Sequence, residues 1–574
     1  MDGAVLVRVA KPGRAAPLNA LQPTADELGF DAATHRSWTD PQHRIGVDLW
    51  SPTTAAPTGL HGDFSNRQAT FGIGASHGSH SCFPPATPHA CATTRGTFIA
   101  GQFDHEGRGW ISADPFALRC LYVGESDEFL VLGSRAGLVA AGIGDGSRST
   151  RATSVLAHLS HWVGRRTGFA GVELAPERHY LEVGGEDHRF ARWISHPALP
   201  ASELPALSGA STIVDELIVG LRAALERDAS NHVIQLTGGR DSRMLLACAL
   251  AGGIADRFEY QTAGTDDHPD VAIAQGLCRR YGLRHQTLFA GMRTHEPFAD
   301  QARRWVERTG GMVSAWEAPG RAMTDVRVTG VGGEVVRSFR TVAPRRGDPQ
   351  AGALAVLDRV RPGRLGLVRP EAREQLRFEL EGAMAEGDGD VLRRVHLFYA
   401  RNRMRFTRFG PRLEIETEQR IAPFVSPVIQ SAALATDGTE RQAGLLCLEV
   451  LRATAPDLLA VPFAAHPWND LARSHLPPPP PPPIPHNELL ATPSAPAGAP
   501  DAQKPSSLMG GLFAPASDER MALVRSALAD QTNPIWQVLD REAGGKAASR
   551  WDDLHLVERR ELMGAVSAAL WAGS

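Results

Sequence analysis

Six consecutive residues, Thr237-Gly238-Gly239-Arg240-Asp241-Ser242, gather in one turn what is needed to hold a phosphate. Paired glycines let backbone N–H groups approach an anion closely. Thr237 and Ser242 add hydroxyl donors, Arg240 and the following Arg243 add fixed positive charge, and Asp241 offers oxygen to Mg2+. A plain glycine turn between a strand and a helix would have the same composition. The turn is not the ATP loop that ends in Gly-Lys-Ser/Thr, because no lysine lies near it.

The flanking residues supply the elements that position this turn. Val233–Leu236 has the β-branched and apolar character of a short buried strand, and Met244, Leu245, Leu246 and Cys248 follow at helical spacing. A helix that opens on such a turn adds unpaired N–H donors and its positive dipole end. Upstream, Ile213–Arg227 reads as an amphipathic helix. Downstream, Arg257–Gln261 reads as a second strand that ends in a polar loop. Pro269 suits the first turn of a helix over Asp270–Tyr281, and Gly282 stops it. A third strand, Asp325–Val328, runs into Thr329-Gly330-Val331-Gly332-Gly333-Glu334. Strands alternating with helices predict a parallel sheet, whose ligands bind beyond the carboxyl ends of its strands.

The first 205 residues differ in texture. Short strands with turn signals (Ala4–Val9, Gly96–Gln102, Gly109–Ala113, Phe129–Leu132, His179–Val183) predict a β-rich domain with helices at Arg135–Ala141 and Arg151–Leu159. His77, His80, Cys82, His89 and Cys91 are zinc-competent, but their Gly-, Ser- and Pro-rich setting lacks regular ligand spacing and reads as a loop. The six cysteines are too scattered for a disulfide framework. At 574 residues the chain predicts two or three domains. A composition of 43% hydrophobic and 22% charged residues is that of a soluble globular protein. The net charge of −4 argues against generic binding to nucleic acid or anionic membrane. No apolar run approaches the ~18 residues of a membrane span, and the lack of an export signal predicts a cytoplasmic protein.

The 237–242 turn resembles the Ser-Gly-Gly-x-Asp-Ser pyrophosphate loop of N-type ATP pyrophosphatases, with Thr237 in place of the first serine. Asp114-Pro-Phe-Ala-Leu-Arg-Cys-Leu-Tyr122 and Gly171–Glu182 resemble segments of the amidotransferase domain of asparagine synthetases, and 329–334 resembles their Ser-Gly-Glu-Gly-x-Asp-Glu loop. Together these segments, in the family's order over residues 96–475, are similar to the asparagine synthetase family. The likeness is nearest to its glutaminase-deficient members, such as β-lactam synthetases and lasso-peptide cyclases.

The resemblance implies an α/β protein. An Ntn-hydrolase-like, class II amidotransferase-like domain (1–205) precedes a parallel-sheet ATP-pyrophosphatase domain (206–475), a proline-rich linker (476–510) and a helical tail (511–574). ATP would sit on Thr237, Gly238, Gly239, Arg240, Asp241, Ser242, Thr262 and Gly330. Asp241 and Glu334, from neighbouring strand ends, would share Mg2+. Glu334 has a blander alternative, which is to cap its helix or pair with Arg337.

Three departures from the family pattern bear on chemistry. Position 2 is Asp2 where the family's glutaminase needs a cysteine, so glutamine hydrolysis is not expected. Val331 stands where asparagine synthetase has a glutamate and β-lactam synthetase a tyrosine. The family lysine aligns with Leu448, which leaves Arg452, Arg420 and Arg408 as candidates for its electrostatic role.

The arginine-rich helical stretch 371–410 reads mostly as a solvated face, with one or two of its arginines available to line an acceptor site. Pro477–Pro483 reads as polyproline II, a spacer or a ligand for a proline-binding partner. Asp518–Ala529 and Leu554–Trp571 have helical periodicity and either form a small unit or pack back on the body. The functional expectation is an ATP-dependent ligase that adenylates a small-molecule or peptide carboxylate and passes the acyl group to an amine. A homodimer is compatible with it. The alternative is a catalytically degenerate nucleotide-binding or scaffolding protein.

Overall fold

Along strand β1 (Ala4–Ala10), Val5, Val7 and Val9 point to one side and Ala4, Leu6 and Arg8 to the other, and all seven residues are buried. A strand reads this way only when both faces of its sheet are covered. The computed structural model describes residues 4–15, 30, 34–50, 60–65, 67–76, 83–184, 190–196, 209–265, 267–288, 297–317, 325–337, 364–385, 391–410, 419–465, 467–476 and 517–573. Strands β2 (His35–Thr39), β3 (Ile45–Trp50), β4 (Leu60–Ser65), β5 (Gln68–Ser76), β6 (Gly96–Asp104) and β7 (Gly109–Ala113) follow. After them come β8 (Tyr122–Glu125), β9 (Phe129–Gly133), β10 (Val172–Leu174), β11 (His179–Val183) and β12 (Ala191–Ser195).

These strands make two six-stranded antiparallel sheets, ordered β10-β8-β9-β1-β3-β2 and β12-β11-β7-β6-β5-β4. Val5, Val7 and Val9 meet Phe71, Ile73, Ile99, Phe103 and Ile111 of the second sheet in a shared apolar layer. Ala4 and Leu6 face a helical layer that includes the helices Ala136–Ile143 and Thr150–Leu159. Arg8, buried among them, is neutralised by Asp48 on the neighbouring strand β3. The expected β-rich character of the N-terminal third is therefore seen, with strand ends shifted by one or two residues.

The second half contains a five-stranded parallel sheet. Its strands are β13 (His232–Gln235), β14 (Glu259–Ala263), β15 (His285–Leu288), β16 (Val326–Val328) and β17 (Gln419–Ile421), ordered β15-β14-β13-β16-β17. Helices Gly209–Leu225, Arg240–Ala251 and Pro269–Tyr281 lie where periodicity predicts them, and Gly282 ends the last with φ 64°. β14 begins two residues later than expected because Ala255–Arg257 forms a 3-10 turn first.

One expectation is corrected. The arginine-rich stretch comprises helices Pro370–Ala385 and Val391–Phe398, a π-helical turn Tyr399–Met404, and the helical turn Arg405–Arg408. It is not simply a solvated face: Arg405 is 2% exposed, donates to the Phe116 carbonyl, and with Arg401 pairs to Glu177 between β10 and β11. Its arginines are drawn inward because that carboxylate supplies their counter-charge across the junction with the antiparallel sheets.

The tail, open between two arrangements from sequence, packs back on the body. Helix Leu556–Ala572 lies against Thr150–Leu159 so closely that a Cβ on Gly564 would be 2.7 Å from Ser160 Oγ. Trp571 caps the helical layer: its indole N–H donates to the Gly168 carbonyl at 3.2 Å, and its ring stands edge-on to Phe169. Ser567 Oγ accepts from the Ala315 amide at 2.8 Å. The tail thus packs on the helical layer that backs the first antiparallel sheet. The proline run, Met1-Asp2-Gly3, and His77, His80 and Cys82 lie outside the described residues.

Candidate functional site

From β13 the parallel sheet grows toward β14 and β15 on one side and toward β16 and β17 on the other. Such a reversal opens a crevice at the carboxyl ends of the two strands where the order turns, the usual ligand position in open parallel sheets. The loop after β13 carries residues 237–242, and the loop after β16 carries 329–334. Both expected carboxylates are therefore brought to one crevice from positions 93 residues apart in the chain (334 minus 241).

Two glycines allow the loops to meet. A Cβ on Gly333 would lie 2.5 Å from Asp241 Cγ, and one on Gly330 would lie 3.1 Å from Asp241 Cβ. Gly330, expected to face the nucleotide, thus serves close packing of one loop on the other. Asp241 opens the helix Arg240–Ala251, whose N-cap Gly239 provides no side-chain cap.

Between the carboxylates lies Arg337, at the end of the short helix Gly333–Arg337. Its Nε and Nη2 donate to Asp241 Oδ1 and Oδ2 at 2.8 and 2.9 Å, a two-pronged pairing, and Nη2 is 3.9 Å from Glu334 Oε1. The Tyr399 hydroxyl donates to Glu334 Oε2 at 2.6 Å. The charge of Asp241 raises the Arg337 pKa further above its already high value. Burial, then the charge of Glu334, pushes the Tyr399 phenol up as well, so both groups hold their protons. Cys447, fully buried on helix Leu445–Thr454 under this cluster, is pushed up to about 12 by burial and is a neutral thiol.

The loop itself is largely self-bonded. Ser242 Oγ accepts from the Thr237 amide at 3.0 Å, and Thr237 Oγ1 accepts from the Gly239 amide at 3.1 Å. The Gly238 amide donates to Asp270 Oδ1 at 2.7 Å, so an internal carboxylate takes the place an anionic ligand would occupy there. A Cβ on Gly238 would lie 2.6 Å from that of Ala464, which explains the glycine by packing.

Several sequence assignments move. Arg240 stacks over Trp468 at 4.6 Å and Phe463 at 5.3 Å and donates to the Pro467 carbonyl at 3.0 Å. Arg243 is fully buried and donates to the carbonyls of Leu458, Val461 and Pro462; burial lowers its pKa to about 9. These arginines fasten residues 458–463 and 467–468 over the loop instead of presenting charge to a phosphate, because the carbonyls there need donors. Thr262 is 1% exposed, donating to the Leu236 carbonyl at 2.7 Å and meeting His285 Nε2 at 2.8 Å, so it joins strands.

Leu448 is buried in the core. Arg452, on the same helix, is tied to the His475 carbonyl rather than to the carboxylate cluster. Arg420 donates to the Arg408 carbonyl at 2.9 Å, and the Arg408 charge acts on Tyr399. The Arg408 charge thus reaches the Glu334 side of the cluster through Tyr399. Val331 is half-buried against the parallel-sheet core.

Sequence reasoning missed Tyr399 and Asp270, and met Arg337 only as an alternative partner of Glu334. A signal existed for Arg337 alone, in its three-residue spacing from Glu334 on one helix. In the N-terminal half, Asp114 is buried and accepts from the amides of Phe98, Phe116, Leu118 and Arg119. It organises a tight turn in which Ala117 adopts φ 48°. His89 lies in the helix Pro88–Thr93 with Cys91, whose buried thiol is pushed up to about 12. Among the described residues no group of three His, Cys, Asp or Glu side chains is placed to hold a metal ion.

The fold and site define a mixed α/β protein with antiparallel sheets, a parallel sheet, and a polar cluster at the latter's switch point. No protein-family model and no curated protein matches the chain. Among solved structures it is similar to the glutamine phosphoribosylpyrophosphate amidotransferase of B. subtilis complexed with ADP and GMP. That match has 10% identity over 58% of this chain and 77% of the other, with a TM-score of 0.21. A structure described as the allosteric regulatory enzyme of purine biosynthesis matches at 11% identity over 57% and 74%, with a TM-score of 0.20. Superpositions this partial carry no argument about the site.

Proposed function

We propose that the protein is an ATP-dependent, AMP-forming carbon–nitrogen ligase that does not draw ammonia from glutamine. The observation that carries this reading is the meeting of Asp241 and Glu334 in the β13/β16 crevice, bridged by Arg337. A parallel-sheet switch point with a helix N-terminus on one wall suits a polyphosphate. In the reaction, a substrate carboxylate oxygen attacks the α-phosphorus of ATP, and pyrophosphate leaves with the bond's electron pair. An amine nitrogen then attacks the acyl carbon, AMP departs, and one proton is lost. Ser242 and the first turn of Arg240–Ala251 are suited to the phosphates, with Asp270 giving up the Gly238 amide as the anion enters. Guanidinium charge on Arg337 and Arg408 is suited to the developing negative charge.

The divalent ion expected at Asp241 and Glu334 does not fit the cluster as it stands, since the two-pronged pairing with Arg337 uses both oxygens of Asp241. No step is therefore assigned to it. The acyl substrate is a small-molecule or peptide carboxylate of the cytoplasm. Among the described residues no helix is long and apolar enough to cross a membrane.

The degenerate nucleotide-binding reading is favoured by one set of facts: the amides of Thr237, Gly238 and Gly239 and the Asp241 carboxylate have internal partners, and Leu448 is core. Exchange of labelled pyrophosphate into ATP, with pooled carboxylic acids, separates the two. The ligase exchanges label and loses at least about a hundredfold on Asp241→Asn. ATP binding with no exchange from any acid, unchanged by Asp241→Asn, would leave the binding module.

A further inference from the structure

Asp241 and Glu334 converge on a guanidinium. Arg337 follows Glu334 by one turn of the same short helix, so its side chain returns toward the Glu334 face. It gives both N–H prongs to Asp241, while Glu334 is held from its other side by the Tyr399 hydroxyl. Gly330 and Gly333 bring the second loop's backbone close against Asp241, where a Cβ on either would press on it. Arginine stays protonated at any working pH, so the cation cannot be discharged to make way for another. A hard divalent ion needs carboxylate oxygens at about 2.1 Å and negative charge left over to bind it. Here one full positive charge already sits between two negative ones, in the pairing geometry that best satisfies a carboxylate.

We propose that Arg337 is the resident cation of this site. Asp241 and Glu334 orient the guanidinium in place of a divalent metal, and a polyphosphate entering the β13/β16 crevice meets Arg337 directly. Binding of that anion then does not depend on divalent ions. The inference rests on the ligase reading only for the identity of the anion, not for the exclusion of metal.

Mn2+ provides the test, because the free ion's electron paramagnetic resonance signal disappears on binding. The wild-type protein is expected to remove no more Mn2+ than the Asp241→Asn variant. Arg337→Met should gain one Mn2+ site, tighter by roughly ten- to a hundredfold, which is lost again when Asp241→Asn is added. Calorimetric binding of ATP to the wild type should be the same within about twofold in Mg2+ and in EDTA. Stoichiometric Mn2+ uptake by the wild type that Asp241→Asn abolishes would overturn the proposal, as would ATP binding that requires Mg2+. Should Arg337→Met fail to fold, the wild-type and Asp241→Asn measurements decide alone. Exclusion of Mn2+ with no ATP binding in either buffer would sink the ligase reading while leaving the cation assignment standing.

Discussion

Trp571→Ala tests whether the C-terminal helix is part of the core or an accessory to it. The indole is 1% exposed, stands 5.0 Å and 89° from Phe169, lies 3.6 Å under the Arg148 guanidinium, and donates to the Gly168 carbonyl. A buried tryptophan removes about 200 Å2 from water, worth about 5 kcal/mol at ~25 cal/mol per Å2. Compactness of the unfolded chain lowers that figure, and measured Trp→Ala losses in cores run about 3–5 kcal/mol. The expected cost is about 4 kcal/mol, a large share of a typical domain's ~5–15 kcal/mol. Urea denaturation followed by far-UV circular dichroism should show an earlier midpoint for the helical layer and first antiparallel sheet together. Limited proteolysis should cut the tail first. A midpoint shift equivalent to under about 1 kcal/mol, with unchanged protease resistance, would refute the packing argument.

Other positions make sharper single tests. Gly311→Ala places a Cβ 2.6 Å from the Trp571 ring at a backbone φ of 68°, and should cost about 2–4 kcal/mol in thermal or urea melts. Leu448→Lys, which puts a lysine where the asparagine synthetase pattern has one, should not create activity. It buries an unpaired ammonium at a position 1% exposed, and the expected result is loss of soluble protein or several kcal/mol of stability, on the order of 3 or more. Burial depresses His396 to about 3 and His196 to about 4. Each binds its proton more readily when unfolded, so their contribution is present above about pH 6.5 and is lost as pH falls toward those values. At about 1.4 kcal/mol per pH unit, His196 alone contributes on the order of 3 kcal/mol. Melting temperature should fall between pH 6.5 and 4, and His396→Leu should flatten that slope.

The strand–turn–helix at 233–251 and the glycine loop at 329–334 were legible because local periodicity and glycine placement fix them. Convergence of the two loops followed from parallel-sheet topology, which needs only the alternation of strands and helices. What escaped was partner choice over distance. Arg243 looks like a phosphate ligand in sequence, yet carbonyls some 215 to 219 positions later claim it. Asp270 reads as an ordinary first-turn acid, but its carboxylate reaches across to the Gly238 amide. Tyr399 sits in an arginine-rich helix whose interruption by a π-helical turn has no local sequence signature, and it reaches Glu334 across 65 positions. In each case a short-range rule named the residue's chemistry correctly and the tertiary fold decided where that chemistry was spent.

Ser160 and the carbonyl of Arg560 are hydrogen-bonded across 400 positions of chain. At synthesis rates of about 5–20 residues per second, the helix Leu556–Ala572 is made roughly 20–80 seconds after Thr150–Leu159, on which it packs. Throughout that interval the helix Thr150–Leu159 lacks the neighbour that helps bury it. The helical layer behind the first antiparallel sheet therefore closes only once residues 556–572 have been made.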